Sequence, residues 1–444
     1  MTTSAEPENT APRQPTPRCL WYAGVAFAVL AAVFMLWRGP VRSAAPGGSS
    51  DFSLIWMSTR SWWVGESPYT VEATDRVWAA HGGMAGEAAP NERIPALLVY
   101  PPTTFPVLAA WCLADWPTAR TLWATTGVVL LIASVVLLLG LAGISPRRAS
   151  WWFAAGGMLL LFPGQTGISV GQPIALVVFL IVWAQALRRV DRSLASGIAL
   201  GLAAAVKPQI GLPFLVYEAG RGRWRTFIMG LVTLGMIACI GVWVLRSSGV
   251  DWLPQWRDNL RTLATSDNGS SGLANPIRYQ LINLHLWIHG FLADPRTVGV
   301  VVWGVVLGLC GAYLAFDRFR PENRSELLSL SMVGATSLMI VYHRSYDALV
   351  LLFPAALLAQ RVASGRRDLA EIALGLCLAV FLVPGPTALD WLADKGKIPA
   401  AIVQSPLWNG LLIPHAAITI LALTVVLVAM RRRLAYEANS GLPV

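Results

Sequence analysis

The chain has 444 residues, 55% of them hydrophobic and 13% charged, with a mean hydropathy of +0.56. A soluble domain cannot hide that much apolar surface, so repeated long apolar runs mark a polytopic membrane protein. The formal charge of +10 comes mostly from arginines at the ends of those runs, which points to membrane orientation and not to nucleic acid. Five cysteines (Cys19, Cys112, Cys239, Cys310, Cys377) lie scattered without paired spacing, so neither a disulfide nor a metal site is expected.

Residues 1–19 are a short polar, proline-rich tail, expected to be disordered and cytoplasmic. Residues 20–37 are the first span. A signal peptide competes, but Ser43-Ala44-Ala45 is a weak cleavage motif and a retained span is expected. Residues 38–118 form a first long loop with juxtamembrane helices. It carries DFSLIWMSTRSWWVGESPY, from Asp51 to Tyr69, too polar to span a bilayer. Residues 101–115 are apolar but short and broken by Pro102 and Pro106, which reads as a half-helix or a surface helix.

Residues 121–141 span. Residues 151–163 and 174–187 are apolar arms around GQTGISVGQ, and 194–206 and 210–217 are shorter arms around Lys207-Pro208. Residues 226–245 span, 246–296 form a second long loop, and 297–316 span. Arms 327–342 and 348–360 flank His343-Arg344-Ser345-Tyr346-Asp347; residues 369–384 and 409–430 follow, with a tail at 431–444.

The positive-inside rule orients these pieces. Placing the arginine clusters at 147–148, 188–192, 221–225, 318–324, 361–367 and 431–433 in the cytoplasm predicts about twelve crossings with both termini inside. That count holds only if residues 101–115 do not cross. Asp51, the GQ loop, Lys207, the second long loop and His343-Arg344 then meet on the outer face. The expected fold is an all-α polytopic membrane bundle, residues 20–430, with an amphipathic first extracytoplasmic loop.

Each polar constellation has a structural and a chemical reading. Asp51 precedes a tryptophan-rich segment, where it either caps a helix or takes a proton from an attacking hydroxyl, help worth about 10²–10⁴ in rate. Lys207 lies between apolar arms, where a charge costs roughly 2.5–3.5 kcal/mol at a helix centre. It either snorkels to the headgroups or holds a phosphate as a point charge. The 343–347 segment is either a solvated turn or a phosphate clamp built on His343 and Arg344. Gln172 either bonds a sugar hydroxyl or satisfies turn backbone. Tyr100-Pro101-Pro102 is a helix-entry signal, and its tyrosine is a second site residue. His285 and His289 are spaced i, i+4 without a glutamate or a third ligand, so no metal is expected. Asn268-Gly269-Ser270 is a sequon by pattern only. No P-loop, dinucleotide fingerprint or DxD motif is present, and no cofactor is expected.

These residues together resemble glycosyltransferase family 87, the polyprenyl-phosphate-mannose-dependent mannosyltransferases of the GT-C superfamily. The resemblance rests on Asp51-Phe52 with Trp56, Gly65, Pro68 and Tyr69; on Tyr100-Pro101-Pro102; on Gly171-Gln172; on Lys207 before proline; and on residues 343–347 entering LVLLFPA. It implies a GT-C-type bundle in the plasma membrane with an extracytoplasmic active site, and a metal-independent, inverting reaction with Asp51 as base. The implied donor is a polyprenyl-phosphate sugar, most often mannose; the acceptor is a glycolipid or lipoglycan hydroxyl. Lys207, His343 and Arg344 would then bind the donor phosphate, and Trp56, Tyr69, Tyr100, Gln172 and Asp347 the sugar or acceptor. Trp56 stands where the family usually has tyrosine. The rival function is a secondary transporter or lipid flippase, since transporters also use broken helices and intramembrane charge.

Overall fold

The computed structural model describes residues 17–81, 98–265, 275–319, 325–366 and 368–440. Most of the amino-terminal tail, the Asn268 sequon, residues 320–324 of one arginine cluster and the last four residues lie outside these. Among the described residues helix follows helix, and the one strand-like pairing is an isolated antiparallel bridge between Leu281 and Arg344.

The chain is an all-α polytopic membrane protein. Five described helices are long and apolar enough to cross a bilayer: Arg18–Ala44, Trp116–Leu141, Trp224–Ser247, Pro295–Asp317 and Ser345–Ala363. Two bent pairs, Ala149–Leu160 with Phe162–Val170 and Leu369–Leu382 with Gly385–Asp394, raise the number to seven if each is one crossing. A count of about twelve includes shorter arms as well. Ser193–Val206 and Pro208–Gly220 have 14 and 13 residues, about 20 Å each at 1.5 Å per residue against a hydrocarbon core of about 30 Å. The 101–115 stretch yields one helix of nine residues, Thr104–Cys112.

Local sequence explains the turns that position the site. Pro40 has no N–H to return to the preceding turn, and the first helix widens into a π turn at Trp37–Val41. The chain then reverses through Ser49, in the left-handed region at φ 56°, and enters helix Ser50–Trp63. That helix is buried on more than one face. Phe52, Ile55, Trp56 and Trp62 supply apolar bulk, while Ser53, Ser58, Thr59 and Ser61 allow close approach. Two of those hydroxyls return to the helix's own carbonyls, Ser53 to Ser50 and Ser61 to Met57. Indoles in and around this helix reach carbonyls of other elements: Trp56 to Ala114, Trp62 to Gly241 and Trp123 to Gly171.

Lys207 separates two helices that fold back on each other. Pro208 restricts the residue before it to extended backbone, and Lys207 has φ −142° and ψ 83°. Gly211 presses on the preceding helix so closely that a Cβ there would stand 2.4 Å from the Ala204 nitrogen. The second-loop helix Trp252–Thr265 packs on the first loop: the Trp256 indole donates to Val99 O, and Asn259 donates to Tyr69 O and Leu98 O.

Candidate active site

A cavity of about 210 Å³ lies where the first loop, the GQ turn, Lys207 and residues 342–347 converge. Asp51, Tyr100, Gln172, Lys207, Arg344 and Asp347 line it, with Leu263 from the second-loop helix. Six of the nine residues singled out from the sequence therefore meet in one space.

Gly171 accounts for part of that convergence. Helix Phe162–Val170 ends on it in the left-handed conformation, φ 77°, and the Gln172 N–H returns to Gly167 O at 2.8 Å. A Cβ on Gly171 would stand 2.4 Å from the Phe52 Cβ, so only glycine lets the turn touch the loop helix. The residues beside that contact are Gln172 and Asp51. Asp51 is not the N-cap; the helix begins at Ser50 after Ser49, and Asp51 lies in its first turn, where helix polarity favours a carboxylate.

The Gln172 amide donates to Asp51 Oδ2 at 2.6 Å, and its oxygen accepts from the Tyr100 hydroxyl at 2.7 Å and from Lys207 Nζ at 3.4 Å. These acceptances fix which way the amide faces. Arg344 approaches Asp51 Oδ2 at 3.9 Å. Among the described residues Asp51 Oδ1 has no hydrogen-bond partner.

Lys207 is 3% exposed and forms a buried ion pair with Asp347 Oδ1; its ammonium also lies 4.9 Å from the centroid of the Tyr346 ring. Asp347 Oδ2 takes the His343 Nδ1 at 2.9 Å. Residues 343–347 are thus not a solvated turn: His343 is 0% and Asp347 2% exposed. Ile282 N–H donates to His343 O at 3.1 Å, tying the segment to the end of the second loop. A 3₁₀ stretch, Ser345–Leu351, then carries the chain into helix Leu352–Ala363.

Burial first, and then the charge of Asp51, pushes the Tyr100 phenol well above its ordinary range; Tyr100 therefore stays a donor to Gln172. Burial pulls the Arg344 guanidinium down, but Tyr346, Tyr342 and Asp51 around it more than reverse this and hold it firmly charged.

The other three sequence-selected residues stand apart from the cavity lining. His343 sits behind Asp347. Trp56 is fully buried, edge-on to Trp116 and Trp78, with Arg60 over its ring at 5.1 Å. Tyr69 reaches back to Tyr100 O at 3.0 Å and lines a smaller adjoining pocket. Sequence reasoning passed over Gln209, Tyr342 and Tyr346, which also line the cavity. Tyr342 and Tyr346 adjoin His343 and Asp347, and Gln209 lies two residues from Lys207; that proximity in sequence is the available signal.

The fold and site define an integral-membrane protein with two carboxylates, Asp51 and Asp347, and two cations, Lys207 and Arg344, on one cavity. A family model for glycosyltransferase family 87 matches residues 98–342, more than half of the chain. The chain belongs to that family, and it is a membrane glycosyltransferase. The match contains Tyr100, Gln172 and Lys207; Asp51, His343, Arg344 and Asp347 lie outside its bounds. No curated protein and no solved structure matches the chain.

Proposed function

We propose that this glycosyltransferase moves a sugar, mannose in the first instance, from a polyprenyl-phosphate donor to a glycolipid or lipoglycan hydroxyl, with inversion. One observation carries the reading: Asp51 shares a cavity of about 210 Å³ with Lys207 and Arg344. A base and a phosphate-binding pair are the two halves of a transfer from a sugar phosphate. Asp51 Oδ1 takes the proton of the acceptor hydroxyl as the new oxygen–C1 bond forms. The bond between C1 and the phosphate oxygen breaks, and polyprenyl phosphate leaves with the electron pair. Lys207 and Arg344 meet the charge that develops on the phosphate, the guanidinium with its planar fork. His343 acts through Asp347, which holds the Lys207 ammonium. Gln172 keeps the Asp51 carboxylate turned toward the acceptor. A GT-C-type arrangement with this cavity on the extracytoplasmic face of the plasma membrane suits a lipid-linked donor and accords with arginine clusters at the opposite loops.

The test is transfer of radiolabelled mannose from synthetic polyprenyl-phosphate mannose to membrane glycolipids, with chelator present. Wild-type protein should transfer, and Asp51→Asn should lose about 10²–10⁴ in rate while still binding donor. Near-wild-type turnover by Asp51→Asn would remove the base assignment. Transfer only from the arabinose or glucose donor would change the sugar and leave the mechanism standing.

A further inference from the structure

A second cavity, of about 590 Å³, shares no lining residue with the first and opens among helices Pro208–Gly220, Pro295–Phe319 and Glu326–Ile340. It falls inside the roughly 300–1,000 Å³ range of small-molecule sites. Its composition is graded. Pro213, Val216, Leu314, Met332 and Val333 make an apolar stretch, and Val216 and Leu314 are 61% and 64% exposed. In a membrane protein that exposure faces lipid chains.

The other end is polar. Tyr217, Arg221, Asp317, Tyr313 and Ser329 line it. The Tyr313 and Ser329 hydroxyls bond each other at 2.9 Å, and the Tyr217 hydroxyl donates to Glu326 at 3.0 Å. Asp317 receives both Arg221, at 3.3 Å, and Arg431, at 3.2 Å. Among the described residues around this end, Arg188, Arg221, Arg223 and Arg431 pair with Glu218, Asp317 and Glu326, four cations against three carboxylates. Among these described pairs the cations outnumber the carboxylates by one, beside an apolar, lipid-facing trough.

We propose that this cavity binds one anionic phospholipid from the leaflet at the arginine-bearing end, with its phosphate at Arg221 and one acyl chain along Val216, Leu314 and Val333. A zwitterionic lipid would bring its own cation to a site already in cationic excess. A prenyl tail would leave the polar end unmatched. The site is separate from the transfer chemistry, and helix Pro208–Gly220 joins the two: Pro208 and Gln209 line the first cavity, Gly220 and Arg221 the second.

The experiment incubates the purified full chain in detergent with an equimolar mixture of dioleoyl phosphatidylglycerol and dioleoyl phosphatidylcholine, then quantifies co-purifying lipid by mass spectrometry. Wild-type protein should retain the glycerol lipid in roughly fivefold preference, the size of one arginine's pull beside an anionic headgroup. Arg221→Gln should bring the two lipids level; Arg431 still pairs with Asp317 in that variant. Val216→Trp, at the exposed mouth where folding is least at risk, should lower retention of both several-fold, and Val333→Trp should do the same from inside. Equal retention of the two lipids by wild-type protein, or unchanged retention in both tryptophan variants, would overturn the proposal. So would displacement of the phospholipid by polyprenyl phosphate, which would give the cavity to the donor's tail. No arm depends on sugar transfer, so failure here is distinguishable from failure of the proposed reaction.

Discussion

Gln172 holds three polar groups with one amide, and its loss should show in two ways. Gln172→Leu removes the donor to Asp51 and takes the acceptor from the part-buried Tyr100 hydroxyl, a penalty of at most about 1–3 kcal/mol. We expect a lower thermal midpoint and a fall in kcat with donor KM nearly unchanged; a rise in KM alone would make Gln172 a substrate contact instead. The Lys207–Asp347 pair is open to a cycle. Both side chains are almost fully buried, and removing one partner of such a pair costs about 3–5 kcal/mol. Lys207→Met should therefore destabilise strongly, and adding Asp347→Asn should recover much of the loss while transfer stays absent. Recovery of transfer in the double variant would sink the role given to Lys207. At this scale the sequence was legible where chemistry was out of place: a lysine and a histidine among apolar arms stand out. Trp56 shows the limit. A tryptophan that packs and one that stacks on sugar look alike in a sequence, and here Trp56 is fully buried against Trp116 and Trp78.

The element that brings Gln172 to Asp51 is the end of helix Phe162–Val170. Gly171→Ala should be far worse than an ordinary alanine at a left-handed position. Both the φ of 77° and the 2.4 Å approach to Phe52 work against a side chain. Gly365→Ala is the matched control, with φ 86° and no atom within 4 Å of the new Cβ; it bears only the conformational cost, about 1–2 kcal/mol. We expect Gly365→Ala to keep transfer and Gly171→Ala to lose most of it, with the larger drop in thermal midpoint. Equal behaviour of the two would mean that the Phe52 contact does not position the site. The break at Lys207 was readable from Pro208, because proline dictates the backbone before it. The fold-back of the two arms was not, since it depends on Gly211 meeting Ala204 across the turn. Likewise the loop segment Asp51–Tyr69 reads as amphipathic and too polar to span. Its serines and threonines pass for a polar face in sequence, whereas in the fold they are small residues that let other backbones come close.

For the whole molecule, sidedness separates an enzyme from a transporter. The arginine clusters and the Asp51 cavity lie at different ends of shared helices. Pro208–Gly220 begins at the cavity and runs to Arg221, and Glu326–Ile340 begins beside the arginine network and ends just before Tyr342 and Arg344. Apolar length alone gives five crossings, or up to seven with the bent pairs, and it leaves out the shorter apolar helices Ser193–Val206 and Glu326–Ile340, so it does not fix the side of either terminus; the arginines supply the orientation, because translocating them is costly. Cysteine labelling reads this directly. In a background without the five native cysteines, Gln209→Cys sits on the cavity wall and Arg432→Cys on the exposed part of the last helix. With a membrane-impermeant maleimide on sealed vesicles of known orientation, Gln209→Cys should react from the extracytoplasmic side only and Arg432→Cys from the opposite side only. A transporter alternates access to its central site, and Gln209→Cys would then react from both sides, with added substrate shifting the balance. One-sided labelling that persists with donor analogue, but slows as the analogue fills the cavity, is the pattern of an enzyme that takes its lipid-linked sugar and its acceptor from the same face of the membrane.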